Sequence, residues 1–353
     1  MKHQVRKFSI SVAVLIAVAL TITSAPEIAR AWENVDFARR ALFAYPVPKG
    51  RDGIIGNPIM YRIDKGDTLL DVGRWFGVTA KEISDANGGL DWWSPPVGRP
   101  VILPTEHILP DADRKGIVLN IPEMRIYYYH PAAERVASRA AAVSRAAYRV
   151  RGGSKDRDTS SRVVYTFPVG LGRYDWKTPV GKFKVRGKTR NPTWVLPDSI
   201  YQEHVERDGE SPKLVKGGDP ENPLGLFRIE LTLPLYALHG TNVPWGVGMQ
   251  VSHGCVRLYP EDIERLFDKV KVGTPGQFVY QPIKFGWRGD ALYVEVHDDL
   301  YGMYPGLWAY AMSEVTREKL EEYVDPQKLE KAVVRKSGLP TYVMPGPPPD
   351  LAG

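Results

Sequence analysis

The sequence predicts a mainly β chain: a small βααβ segment, then a sandwich-like β-region, then a strand-and-helix extension. Three features carry this. Short apolar runs broken by Gly and Pro recur between about residues 116 and 283. Within residues 59–105, two threonines placed to cap helices stand between two apolar runs. After about residue 287, an alternating run is followed by two helical patterns.

Residues 1–31 stand apart from that fold. Lys2, Arg6 and Lys7 precede an apolar run of about fifteen residues, Phe8 to Ile22. That length suits the core of an export signal and falls short of a membrane span. Ala29-Arg30-Ala31 offers a small-x-small cleavage site, so maturation is expected before Trp32. A second cut lies near Ala25, and an uncleaved anchor is the plainer alternative. Cleavage would leave no stable membrane span. Residues 32–58 hold Pro46, Pro48, Gly50, Gly53, Gly56 and Pro58 and read as a linker.

The formal charge of +6 is unevenly spread. Residues 1–31 contribute +3, and residues 131–162, rich in Arg and Ala, contribute +5. The remainder is close to neutral, which argues against nucleic-acid binding. Segment 131–162, with Gly152-Gly153-Ser154, reads as a mobile insertion. Its functional alternative is an arm toward an anionic polymer; a solvated charge run is the plainer reading.

From Tyr61 the pattern tightens. Tyr61-Arg62-Ile63 reads as a strand and Lys65-Gly66-Asp67 as a turn. Thr68 caps a helix with Leu69, Val72, Trp75 and Phe76 apolar, ended by Gly77. Thr79 caps a second helix, closed by Asn87-Gly88-Gly89, and Pro100 to Leu103 forms the last strand. This βααβ order, with Gly66-Asp67-Thr68-Leu69, Phe76-Gly77-Val78, Asn87 and Ile102-Leu103-Pro104, resembles a LysM module. The resemblance implies a glycan-binding unit over 59–105, with Gly66, Asp67, Thr68 and Asn87 at its sugar groove. Gly73 and the longer loop Asp91-Trp92-Trp93-Ser94-Pro95 depart from the family pattern. Trp92 and Trp93 suit either sugar stacking or packing.

The β-region begins near Gly116. Ile117–Asn120, Arg125–Tyr129, Val163–Gly170, Lys182–Val185 and Leu226–Leu231 read as strands, and Leu235–Leu238 runs straight into His239. Pro260 to Val270 is a helix, with Pro260 at its first position and Ile263, Leu266, Phe267 and Val270 on one face. In the extension, 284–353, Leu292–Val296 reads as a strand. Helices are expected from about Glu314 to Tyr323 and from Pro326, capped by Asp325, to about Lys336. The proline-rich end, 345–349, is expected to fray.

The single cysteine, Cys255, lies in Ser252-His253-Gly254-Cys255-Val256-Arg257-Leu258, sixteen residues after His239. A thiol becomes a strong nucleophile as thiolate, and an imidazole is the usual means of making it so. In an exported chain a lone cysteine has no structural disulfide partner. Gly254 permits a sharp turn whose amides suit an oxyanion. If the chain is extended there, Cys255 and Arg257 share one side, where a guanidinium would steady thiolate or bind a carboxylate. Taken singly, each residue has a plainer reading: a buried small apolar thiol, a hydrogen-bonded imidazole, a structural ion pair.

His239-Gly240-Thr241, Pro244, Gly246, Gly248, the Ser252–Leu258 run and Asp262 resemble the motif of YkuD-type L,D-transpeptidases. The resemblance spans about 116–283 and includes Phe167 to Gly172, Thr178-Pro179-Val180-Gly181 and Asn222-Pro223-Leu224-Gly225. It implies a periplasmic enzyme acting on peptidoglycan stems without cofactor or metal. Cys255 would be the nucleophile, His239 the general base, and Gly240 the carbonyl that orients it. Gly254 would supply an oxyanion amide, and His253 would orient the loop or tune the thiolate. Ser252, Thr241 and Arg257 would contact substrate. The acceptor would be a second diaminopimelate, a lysine of an outer-membrane lipoprotein or, in a carboxypeptidase, water. Two rivals differ in class: a zinc peptidase using His239 and His253, for which no HExxH spacing exists, and a non-catalytic wall-binding protein.

Overall fold

The computed structural model describes residues 43–134, 161–209 and 211–349. The expected export signal lies outside them, as do residues 135–160 of the Arg-rich segment. The flanks of that segment are strands rather than loose chain, because residues 133–134 pair with 161–162. The lead-in is also more ordered than its Pro and Gly content suggests. β1 (Ala44–Pro46) pairs with residues 163–165, and β2 (Ile54–Gly56) pairs with 106–108.

The βααβ elements appear in the expected order: β3 (Ile59–Arg62), α1 (Leu69–Phe76), α2 (Ala80–Ala86) and β4 (Pro100–Leu103). β3 and β4 pair antiparallel, with Ile59 opposite Leu103. Thr68 caps α1, and Thr79 with Glu82 forms a capping box on α2. Gly73 has a packing reason: a Cβ there would meet Val78 O at 2.7 Å.

β5 (Glu106–Ile108) leads to β6 (Gly116–Asn120), β7 (Arg125–Glu134), β8 (Ser161–Gly172) and β9 (Gly181–Arg190). A short pair, β10 (Trp194–Val195) and β11 (Leu214–Val215), brackets α3 (Asp198–Asp208). Then come β12 (Phe227–Leu231), β13 (Ala237–His239), β14 (Gln250–Ser252), β15 (Val256–Leu258), α4 (Pro260–Lys269) and β16 (Pro275–Val279). The main sheet has ten strands, in the order β1-β8-β15-β13-β12-β9-β16-β6-β7, with β14 beside β8. Because β7 also pairs with β8, the ladder closes on itself. The long strands β8 and β9 make this closure. β8 pairs with β7 over its first part and with β15 at Val169–Gly170; β9 pairs with β16 and then with β12. Ile117, Ile126, Phe183, Ile229, Leu238 and Val256 fill the core inside, and α4 adds Ile263 and Leu266.

The βααβ unit is fastened to this β-region through buried charge. Arg74 of α1 makes two bonds of 2.9 Å to Glu261 of α4, and both side chains are almost inaccessible. Arg125 of β7 donates to Gly77 O at 2.9 Å and to Glu82 at 2.7 Å. Behind Arg125, the carboxylates of Glu123 and Glu295 converge with His107. The Lys284 ammonium sits among these groups, 2.6 Å from Glu123 and 2.8 Å from Glu295.

Lys284 belongs to the extension, where β17 (Ile283–Arg288), β18 (Ala291–Val296) and β19 (Thr341–Tyr342) form a three-stranded sheet. β17 was not foreseen. α5 spans Leu307–Glu318, about a turn or two ahead of the expected helix, because Ala311 and Val315 face the core and Lys319 turns left-handed. α6 (Pro326–Arg335) is capped by Asp325 as anticipated. Residues 345–348 form no helix or strand, yet this end is tied down: Lys328 Nζ donates to Met344 O at 2.6 Å and also to Gly346 O.

Candidate active site

The site forms on the face of the sheet turned away from the apolar core. Arg228 on β12 pairs with His239 on β13, and His239 pairs with Arg257 on β15. Direct cross-strand partners project to the same face. Cys255 lies two residues before Arg257, so it shares that face where the chain is extended. The fields of both arginines act on both His239 and Cys255, which agrees with this arrangement.

His239 is buried, and its Nδ1 lies 2.7 Å from Gly240 O. A carbonyl only accepts, so Nδ1 carries the proton and Nε2 keeps its lone pair. Burial, then the Arg257 and Arg228 charges, push the imidazole pKa down to about 3 against the Gly240 bond. The ring is therefore neutral at ordinary pH. Burial also raises the Cys255 thiol, opposed by the Ala237 backbone and by Arg228 and Arg257. The Sγ–H points to Leu235 O at 3.6 Å. The resting pair is thus thiol and neutral imidazole, a state in which the imidazole can take the thiol proton. Burial disfavours both charges.

The loop carrying Cys255 is locked from within. Ser252 Oγ donates to Cys255 O at 2.5 Å and accepts from Gly254 N–H at 3.2 Å. Two expectations change as a result. Ser252, buried and engaged, shapes the loop instead of facing substrate. The Gly254 amide, expected to serve an oxyanion, is already committed to Ser252. Gly254 has φ +102, and a Cβ would come within 2.7 Å of the Tyr236 ring. Thr241, also expected at the substrate, is buried and accepts from Val243 N–H at 2.9 Å, holding its own turn.

His253 donates from Nε2 to Glu203 on α3 at 3.0 Å and meets the Trp176 ring edge-on. Arg173 grips the same carboxylate at 2.8 and 3.0 Å. Arg173, then His253, hold Glu203 down to about 2, so it stays ionised. From behind, Thr178 Oγ1 donates to Gly254 O at 2.9 Å. Tyr301, in the extension, donates to Gly172 O at 2.9 Å and accepts from Thr178 N–H at 3.1 Å. Glu203, Arg228 and Tyr301 were missed in the sequence; each acts from outside the motif, and only the topology brings it in. Thr178 was visible as part of a quoted turn, without a role.

Arg257 is largely buried, and burial lowers its pKa. Its Nε lacks a hydrogen-bond partner among the described residues. The groove residues expected in the βααβ unit are mostly engaged internally. Asp67 accepts from Tyr61 OH at 2.7 Å and from Asp64 N–H at 2.8 Å. Thr68 is the α1 cap, and Asn87 bonds Ile83 O, Ile102 O and Ile102 N. Gly66 supports its turn at φ +96. Trp93 is well exposed on the neighbouring loop.

The YkuD L,D-transpeptidase catalytic domain family matches residues 114–278. The probable L,D-transpeptidase ErfK/SrfK of Escherichia coli (strain K12) is 31% identical over 320 residues, covering 86% of this chain and 91% of the relative. The probable L,D-transpeptidase YbiS of the same strain is 31% identical over 306 residues, covering 84% and 90%. A third, YcfS, is 32% identical over 262 residues, covering 72% and 73%. The chain therefore belongs to the YkuD-type L,D-transpeptidase family of enzymes.

Proposed function

We propose that this enzyme exchanges the diaminopimelyl–D-alanine bond of a peptidoglycan tetrapeptide stem for a new amide, through a thioester on Cys255. The observation that carries this reading is the neutral His239, with Nδ1 held by Gly240 and Nε2 left as acceptor, on the sheet face of the only thiol.

The thiol proton passes to His239 Nε2 as the sulfur attacks the diaminopimelyl carbonyl. The C–N bond to D-alanine breaks, and the leaving amine takes the proton from His239. An acceptor amine then attacks the thioester and gives a proton to His239; as the C–S bond breaks and the amide forms, His239 returns that proton to the Cys255 sulfur. The new amide inherits the acyl energy, so no nucleotide is consumed. Backbone amides other than Gly254, or Gly254 after Ser252 turns aside, steady the oxyanion. Arg257 binds a substrate carboxylate, which supplies the partner its Nε lacks among the described residues. His253, clamped by Glu203, orients the loop.

The proposed setting is the periplasm, after removal of residues 1–31. The domains proposed are the LysM-like unit 59–105, the catalytic domain 116–283 and the extension 284–353. Glycan binding by the LysM-like unit would rest on the exposed Trp93 loop more than on Asp67, Thr68 or Asn87.

The test is muropeptide analysis after incubation with tetrapeptide stems, with and without a lipoprotein C-terminal peptide. D-Alanine release with a new cross-link or a lysine adduct is expected. Cys255→Ala should abolish both while sacculus binding persists. Full cross-linking by that variant would end the cysteine mechanism. Release of D-alanine with water as the sole acceptor would make the enzyme a carboxypeptidase.

A further inference from the structure

We propose that Arg228 is a second substrate-binding cation, and that Arg228 and Arg257 hold two carboxylates of one donor stem, on either side of His239. The inference rests on the reading of the donor as a diaminopimelyl–D-alanine stem and goes beyond it by naming what selects that stem.

The ladder places the three side chains in one row. Arg228 is the Cα partner of His239, and His239 of Arg257. Adjacent strands lie about 4.8 Å apart, so the two arginine Cβ atoms are about 10 Å apart with the imidazole between them. At the far end of the row Arg257 faces Gly170, which has no side chain to cover it. Its guanidinium lies beside Gly246, where a Cβ would approach Nη1 to 4.0 Å.

Among the described residues, charge on this face is balanced only in part: Arg228 has a shared carboxylate, and Arg257 has none. The carboxylate nearest Arg228 is Glu230, two residues along the same strand, at 3.7 Å. Arg186 holds that carboxylate more closely, at 3.2 Å. Arg257 has no ion pair among the described residues. The nucleophile and the base between them are both neutral at rest, so neither offsets the two cations. A partly buried guanidinium without a counter-charge is costly unless a ligand supplies one.

The donor carries suitable anions. Its leaving D-alanine ends in a carboxylate close to the scissile carbonyl, and the diaminopimelate side chain ends in another. In an extended stem, these lie about 10 Å apart by bond geometry. Arg257, two residues after Cys255, takes the D-alanine carboxylate. Arg228, beyond His239, takes the diaminopimelate carboxylate. The pair therefore reads both the free C-terminus of a tetrapeptide and the carboxylated diamino acid before it.

The test is a cycle between protein and substrate. D-Alanine release is measured for wild type and Arg228→Gln, on the native stem and on a stem whose diaminopimelate carboxylate is amidated. For wild type, amidation should lower kcat/KM about tenfold, mainly through KM, as loss of one charge-assisted contact does. Arg228→Gln should lose about as much on the native stem, and amidation should then cost nothing more. Arg228→Lys should recover part of the loss. Equal losses from amidation in both proteins would overturn the proposal, as would equal loss by Arg228→Gln on both stems with a shifted pH profile. That second pattern would make Arg228 a field on the thiol instead of a contact. If Arg228→Gln does not fold, wild type indifferent to amidation overturns the proposal by itself. Wild type that releases no D-alanine from the native stem overturns the underlying reading as well.

Discussion

His239 decides how this site responds to pH. An imidazole held near 3 by burial and two guanidinium groups is a base throughout the neutral range. The kcat/KM profile should therefore show no inflection near 6.5, the ordinary histidine value. An acid limb should appear only as pH approaches 4, and stopped assays across that range check it. Arg257→Met should have the opposite signature. Removing the nearer cation should raise the His239 pKa and move the acid limb upward, alongside weaker stem binding. At this scale the sequence was informative about identity and poor about allegiance. Cys255, His239 and Gly240 stand in a motif whose two halves are set side by side by one parallel ladder, His239 opposite Arg257. Ser252, Thr241 and the Gly254 amide stand in the same motif, but they bond to each other or to their own turns. Composition cannot show which polar group of a loop spends itself on the loop.

Helices α1 and α2 were legible because each has a capping threonine and a sharp terminator, signals that act within a few residues. α3 was not. It has no side-chain cap, starts after Pro197 and presents no continuous apolar face. Its importance lies in Glu203, which joins Arg173 to His253. Glu203→Gln should keep the helix but weaken both contacts, lowering kcat with little change in KM; steady-state kinetics on the native stem check this. The α1–α4 contact makes a second prediction at this scale. Arg74→Ala removes both hydrogen bonds from Arg74 to buried Glu261 and should cost about 3–5 kcal/mol. The double variant Arg74→Met/Glu261→Met should recover most of that in chemical denaturation. The strands β1 and β2 escaped notice for a related reason: three-residue strands owe their existence to distant partners, not to their own pattern.

Across the molecule, the mainly β character and the order of segments were readable, because alternation and turn chemistry are local. Closure of the ladder through β8 and β9 was not, since it depends on strands that change partners midway. Nor was the charge cluster joining the βααβ unit, the β-region and the extension. Its buried His107 is held neutral, its pKa pushed down by burial and by Arg125, as His239 is by its own surroundings. Unfolded histidines take up protons near 6.5, while these folded ones do so only at lower pH. Stability from both is therefore complete above about 6.5 and is lost as pH falls below it. Glu318, raised to about 7, works in the opposite direction, but it stands against these two rings and His253, which burial also lowers. The midpoint of thermal unfolding should thus fall between pH 7 and 5; a rise would contradict the neutral burial of these rings. Tyr301 carries a different consequence. The brace behind the cysteine turn arrives from the extension, past the residues 114–278 shared with the family domain. A chain cut short before that tyrosine would keep every signature residue and still lose the two hydrogen bonds that hold Thr178 and Gly172 behind the cysteine turn.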